Sequence, residues 1–224
     1  QGCDYYARTI HGARVSITIG ILVTAASTLI AVALGSIAGY YGGWVDTIIA
    51  RITDIWFAIP TILGGIVILS LLGKRGMLQV SLVLIVLGWP TMLRLARSSV
   101  LSVKETDYVD AARALGASNF RIIRRHVLPN SIFSAIIVAS MNVGVTVLIA
   151  AALSFLGLGS DTGYADWGQM VSTCRNFIVG PADNRLAYWY LVFIPGFTIA
   201  LFVLGWNLLG DAVRDVFDPR MRRK

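Results

Sequence analysis

Few side chains in this 224-residue sequence are of types that make or break bonds. The histidines are His11 and His126, and the cysteines are Cys3 and Cys174. No metal-ligand spacing links them, so no zinc site is expected. The GxxxxGK[ST] loop that cradles nucleotide phosphates is absent, which puts any ATP on another polypeptide. No Ser/His/Asp set stands out as a nucleophile. Asp161, Asp166 and Asp183 read as solvated loop acids rather than a catalytic pair. Two charged constellations remain. Arg51 and Asp54 lie three residues apart in apolar surroundings, a spacing that lets them pair on one helical face. They read as a structural pair near the end of a span, with a gating or substrate role as the sharper alternative. The second constellation runs from Asp107 to Asn130 and ends in DAARALGASNFRIIRRHVLPN.

Apolar segments must position both. The chain is 56% hydrophobic and 14% charged, with a mean hydropathy of +0.73; a soluble domain is about 25% charged. Five runs contain no Asp, Glu, Lys or Arg: Val15–Val45, Ile55–Gly73, Gly76–Leu93, Val127–Ser160 and Leu186–Gly210. Each approaches or exceeds the ~18–20 residues that cross ~30 Å of hydrocarbon as a helix. Lipid offers the backbone no hydrogen-bond partner, so the runs are expected to be helices. The expected spans are about 15–40, 46–72, 77–101, 131–157 and 186–209. The fold class is therefore an all-α membrane protein, one domain over 1–224 with five spans in this chain. Between them lie a polar region at about 105–129, an outer loop at 158–185 and a tail at 211–224.

Charge orients the spans. One side holds Arg8, Arg14, Lys74, Arg75, Arg175 and Arg185; the remaining Lys and Arg of the 19 fall on the other. The positive-inside rule makes that richer side, with the tail, cytoplasmic. The net charge of +7 thus belongs to a membrane topology rather than to nucleic-acid binding. Cys3 and Cys174 both fall outside, where a disulfide between them is one reading and two unrelated thiols the other. An N-terminus outside, without a signal pattern, is expected to follow one more span upstream.

The 105–129 region reads as two short helices. Asp107 and Asp110 favour the positive end of a first helix, about 106–115. Ala111, Ala112 and Leu115 give it an apolar face. Gly116 supplies the left-handed residue that ends a helix. Ser118 is placed to cap a second helix, about 119–127, with Phe120, Ile123 and Val127 on one face. Arg121, Arg124 and Arg125 fall largely on its other face, and Pro129 closes the unit. A helix lying on anionic lipid accounts for the second half. It leaves the acids and the glycine turn unexplained, so a protein partner is the better reading.

Asp110-Ala111-Ala112, three residues, Gly116, nine residues, His126-Val127-Leu128-Pro129 resembles a pattern of bacterial ABC importer permeases. Theirs reads Glu-Ala-Ala, three residues, Gly, nine residues, Ile, any residue, Leu-Pro. Asp110 keeps the charge of the Glu, and RHVLPN at 125–130 is similar to the peptide-importer branch. GGWVDTIIARITDIWFAIP at 42–60, GWPTMLRLARSSVLSV at 88–103, ALSFLGLG at 152–159, DWGQM at 166–170 and NLLGDAVRDVFDPRMR at 207–222 also resemble that branch, the C-type dipeptide and oligopeptide permeases.

The resemblance implies the ABC type I importer permease fold, six spans with one before this chain, and a place in the bacterial plasma (inner) membrane. It implies a second homologous permease, two ATPase subunits that hold ATP and Mg, an extracytoplasmic substrate-binding protein near 159–185, and no cofactor on this chain. Asp107, Asp110, Ala111, Ala112, Leu115, Gly116, Ala117, Arg121, Leu128 and Pro129 become the segment that couples to the ATPases. The implied cargo is a dipeptide or oligopeptide, with nickel or glutathione importers as near relatives. An intramembrane enzyme would need catalytic polar residues at one depth, and only Asp54 and scattered Asn residues qualify. A passive channel would leave 110–129 without a role. The basic end of the tail, Arg220 to Lys224, suits either anionic membrane lipid or the ATPase.

Overall fold

The computed structural model describes residues 4–159, 164–175 and 188–217. Cys3, Asp161, Asp183, Arg185 and Arg220 to Lys224 lie outside them. Helix α1 is Tyr5–Tyr41, capped by Asp4, whose carboxylate accepts from the Tyr6 and Ala7 amides at 3.0 and 3.2 Å. Its 37 residues make about 55 Å of helix, well beyond the ~30 Å core of a bilayer. There follow α2 (Gly43–Phe57), α3 (Thr61–Leu72), α4 (Met77–Lys104), α5 (Asp107–Ala114), α6 (Asn119–Ile122), a π-helical turn (Ile123–Val127), α7 (Leu128–Phe155), α8 (Trp167–Cys174) and α9 (Tyr190–Phe217). The described residues hold helices and connections and no strand.

Tyr5–Tyr41, Met77–Lys104, Asn119–Phe155 and Tyr190–Val216 are each long and apolar enough to cross a membrane. The span expected at about 46–72, which Pro60 could kink or be tolerated in, is α2 and α3, bent by 83°. Pro60 causes the break. It has no N–H, its ring pushes Ile59 out of the helical region, and it adopts an extended φ −60°, ψ 122° before α3 restarts. A fifth span exists only if this bent pair counts as one.

α1 runs through the bundle between α4 and α7, and α7 packs on α9. The approach to α4 is close because two glycines face it. A Cβ on Gly35 would sit 2.9 Å from Ala96 Cβ, and one on Gly39 would sit 2.8 Å from Val100 Cγ1. This pair, which the sequence leaves open between a subunit interface and ordinary glycine use, packs helices within the chain. The main core lies beside it, with Ile19, Val23, Val80, Leu84 and Leu153 buried together. At the other end of α1, α8 is wedged against α7 and α9. Trp167 anchors it: the indole N–H donates to the Thr9 carbonyl at 2.9 Å, and the ring is almost fully buried.

Both prolines inside long helices are compensated in the same way. Pro90 cannot donate to the Val86 carbonyl one turn earlier, and Pro195 cannot donate to that of Leu191. In lipid such an orphan acceptor is costly. Trp56 of α2 donates its indole N–H to the Val86 carbonyl at 2.7 Å, and the Tyr5 hydroxyl of α1 donates to the Leu191 carbonyl. Each proline site is thereby fastened to a second helix.

Candidate functional site

The helix–glycine–helix unit at one end of the bundle is built around a turn that needs glycine. Gly116 has φ +77°. The Ala117 amide donates to the Ala112 carbonyl at 3.1 Å and the Gly116 amide to the Arg113 carbonyl at 3.0 Å. These are the paired bonds of a Schellman stop, and they turn the chain sharply from α5 into α6. Asp110 pairs with Arg113 at 2.8 Å on the exposed side of α5. Asp107 and Asp110 both lie in the first turn of α5.

The structure revises how the unit meets the spans. Val109, absent from the sequence-based apolar face, is fully buried with Ile122 and Val127 against Tyr40 of α1 and Val100 of α4. Ala112, Ala117 and Ile123 close around this cluster. Leu115 points outward at 88% exposure, and Ala111 is exposed. Phe120 is also outside, at 71%, where the expectation put it on the packed face. The π-helical turn explains the difference: its extra residue per turn rotates the helix face, so Ile122 rather than Phe120 meets the core. Ser118 precedes α6 but makes no side-chain capping bond. Nor does Pro129 end a helix. It sits where the π-helical turn passes into α7, and Asn119–Phe155 runs on as one apolar span.

Tyr40, at the end of α1, donates its hydroxyl to Asn119 Oδ1 at 3.0 Å, 79 residues away. No sequence signal marks this bond. It ties α6 to the long helix at the centre of the bundle. Tyr40→Phe should therefore cost about 1 kcal/mol and increase backbone hydrogen exchange in α6 more than in α9. Equal protection in both proteins would remove Tyr40 from the link.

On the outward side of the unit, Phe120, Arg121, Arg124 and Arg125 line a recess of about 350 Å³. Leu115 and Gly116 are exposed at the turn, Arg121 and Pro129 are exposed further along, and Leu128 is half-buried. The unit thus presents apolar tips and guanidinium groups outward while its inner face is packed on α1 and α4.

The other charged group sits along α2 and α4. Asp54 lies 3.7 Å from Arg51 and closer, 3.1 Å, to Arg94 of α4, a partner the sequence reading lacks. Arg94 also stacks over the Phe57 ring at 3.9 Å. Nearer the start of α2, Arg97 holds Asp46 through two hydrogen bonds, one of them 2.6 Å. With Trp56 on the Val86 carbonyl, α2 is fastened to α4 along its length. Cys174 is a free, half-buried thiol at the end of α8, and its proposed partner Cys3 is outside the described residues. Among the described residues no group of three or more His, Cys, Asp or Glu is placed to hold a metal ion.

Comparison with known proteins agrees with this architecture. The chain is 43% identical to the dipeptide transport system permease protein DppC of Alkalihalophilus pseudofirmus, over 99% of this chain and 70% of that one. It is 37% identical to the glutathione transport system permease protein GsiD of Pectobacterium atrosepticum, over 99% of this chain and 71% of the relative. The fold matches a chain of the MetNI methionine ABC transporter, solved in inward-facing conformations, with a TM-score of 0.74 at 17% identity, covering 94% of this chain and 97% of that one. Residues 31–223 match the family model of the inner membrane component of binding-protein-dependent transport systems. At this identity and coverage, the chain belongs to that family of inner membrane transport components.

Proposed function

We propose that this chain is the transmembrane permease subunit of an ATP-driven importer for dipeptides or other short peptides. It pairs with a second, homologous permease to form the passage. Two ATPase subunits, which hold the ATP and Mg, dock on the unit from Asp107 to Pro129. A substrate-binding protein delivers cargo on the opposite face. The chain itself performs no chemistry. It lies in the bacterial plasma membrane with its C-terminus and the coupling unit in the cytoplasm, the side favoured by its Lys and Arg.

One observation carries the coupling role. The unit is packed inward on the ends of α1 and α4 through Tyr40, Val100, Val109, Ile122 and Val127, while Leu115 and Phe120 stand free outside. A movement imposed on the outer face passes to two spans as a rigid displacement, because close-packed side chains transmit strain. Dipeptides and glutathione, the cargoes named for the relatives, are all short peptides. Purification of the tagged complex in mild detergent, with mass spectrometry of its partners, tests the reading. Two ATPase subunits and a second permease should co-purify. Their absence after crosslinking would overturn it and leave 107–129 as a membrane-surface helix.

A further inference from the structure

Arg51, Asp54 and Arg94 are charged residues within the expected spans at about 46–72 and 77–101. α4 is 28 residues long, about 42 Å, and Arg94 lies about 15 Å from its Lys104 end. A ~30 Å hydrocarbon layer placed on the expected span at about 77–101 reaches past Arg94. Yet the side chains of Arg51, Asp54 and Arg94 are 79%, 52% and 58% exposed in this chain. Arg94 does not reach toward the headgroups, since its guanidinium is held over Phe57, the last residue of α2.

The backbone beside them points the same way. Ala58, Ile59 and Pro60 leave the helix and are all exposed. The first amides of α3 have no capping side chain. Non-helical backbone at membrane depth survives only where protein buries it or water reaches it. The middle of α1 differs: between Ile21 and Ile37 its exposed positions Ile21, Leu22, Ala25, Leu29, Ile30, Ala33 and Ile37 are apolar, and its exposed polar residues His11, Arg14 and Thr18 lie nearer its start.

We infer that the face formed by Arg51, Asp54, Arg94 and the α2–α3 break lines a water-filled passage, and that it is a transit site for a carboxylate. Two guanidinium groups share one carboxylate, so the cluster keeps a net positive charge and stays open to a second anionic group. In a low-dielectric wall that charge concentrates anions. Under the importer reading above, on which this assignment rests, the carboxylate is the C-terminal group of a passing peptide. Asp54 keeps the site from holding that group too firmly to release it, as a conducting site requires.

The test uses the complete transporter in membrane vesicles, with native cysteines replaced by serine. Ala58→Cys places a thiol on the exposed break, Ile55→Cys a second one nearby, and Leu29→Cys a control on the apolar face of α1. The probes are a membrane-impermeant sulfonate thiosulfonate and its cationic trimethylammonium analogue. Ala58→Cys and Ile55→Cys should react with the sulfonate at least about tenfold faster than Leu29→Cys does, and faster than with the cation. Adding Arg94→Gln should reduce that preference for the anion. Reaction at the control rate would overturn the passage, whether lipid or the second permease covers the face. Equal rates for both reagents would overturn the carboxylate site. Accessibility does not require ATP turnover, so this outcome is separate from failure of the importer reading, which the co-purification detects.

Discussion

Valine in place of Gly116 is expected to lower ATP-driven uptake severely while the protein still inserts and assembles. A Cβ at this position meets nothing within 4 Å, so no clash with neighbouring atoms is involved. The cost is in the backbone alone: φ is +77°, a conformation β-branched residues resist. Left-handed geometry costs an ordinary residue about 1–2 kcal/mol. That shifts the population of the competent turn by a factor of about 5–30. The Schellman bonds from Gly116 and Ala117 would open, and α5 would lose its fixed angle to α6. Gly116→Asn should retain most uptake, because asparagine tolerates left-handed backbone. Uptake in proteoliposomes, normalised to assembled complex, measures both. Unchanged uptake in the valine variant would show that the turn geometry does not matter to transport.

Trp56→Phe is expected to destabilise the bundle by about 1–2 kcal/mol, and the effect should depend on Pro90. The indole N–H fills the Val86 carbonyl that Pro90 leaves without a donor. Interhelical hydrogen bonds in membranes average only about 0.6 kcal/mol, because separated groups find other partners. This carbonyl has no helical N–H to fall back on, so the loss should lie nearer the ~1–3 kcal/mol of an unsatisfied group. Pro90→Ala restores the missing amide. In that background Trp56→Phe should cost less by about 1 kcal/mol, a coupling that a double-mutant cycle isolates. Unfolding of the purified protein in mixed micelles gives all four free energies. The same loss in both backgrounds would mean that Trp56 acts only through packing, including its contact with Trp89 at 5.9 Å.

Both results rest on features of different legibility in the sequence. The long spans were legible because runs such as Gly76–Leu93 and Val127–Ser160 have no charged residue, and lipid permits such runs only as helices. The Gly116 turn was legible because acids before it and apolar residues around it leave one local solution. Faces within the unit were less so. A strict 3.6-residue period puts Phe120 inward, and the π-helical turn defeats it. Pro129 reads as a stop by the same local logic, although the helix continues through it just after the π-helical turn. Pro60 signals a kink but not its size, since the 83° bend depends on what holds α2 to α4. Those fastenings, Asp46 with Arg97, Asp54 with Arg94 and Trp56 with Val86, join residues 30 or more apart in sequence. Local pattern carries no information about such pairs. Tyr5 and Leu191 are separated by 186 residues and illustrate the same limit.

The central claim is that the outward tip of the unit touches an ATPase. A single cysteine at Leu115, the 88% exposed residue beside the turn, tests it most directly. The complete complex would carry Leu115→Cys in membranes, with native cysteines replaced by serine and Leu29→Cys as control. A short bifunctional thiol reagent would then be applied, with cysteines placed on the ATPase surface. The account predicts a crosslinked permease–ATPase product from Leu115→Cys and none from Leu29→Cys. Labelling of Leu115→Cys by a lipid-embedded probe, with no ATPase product, would contradict it.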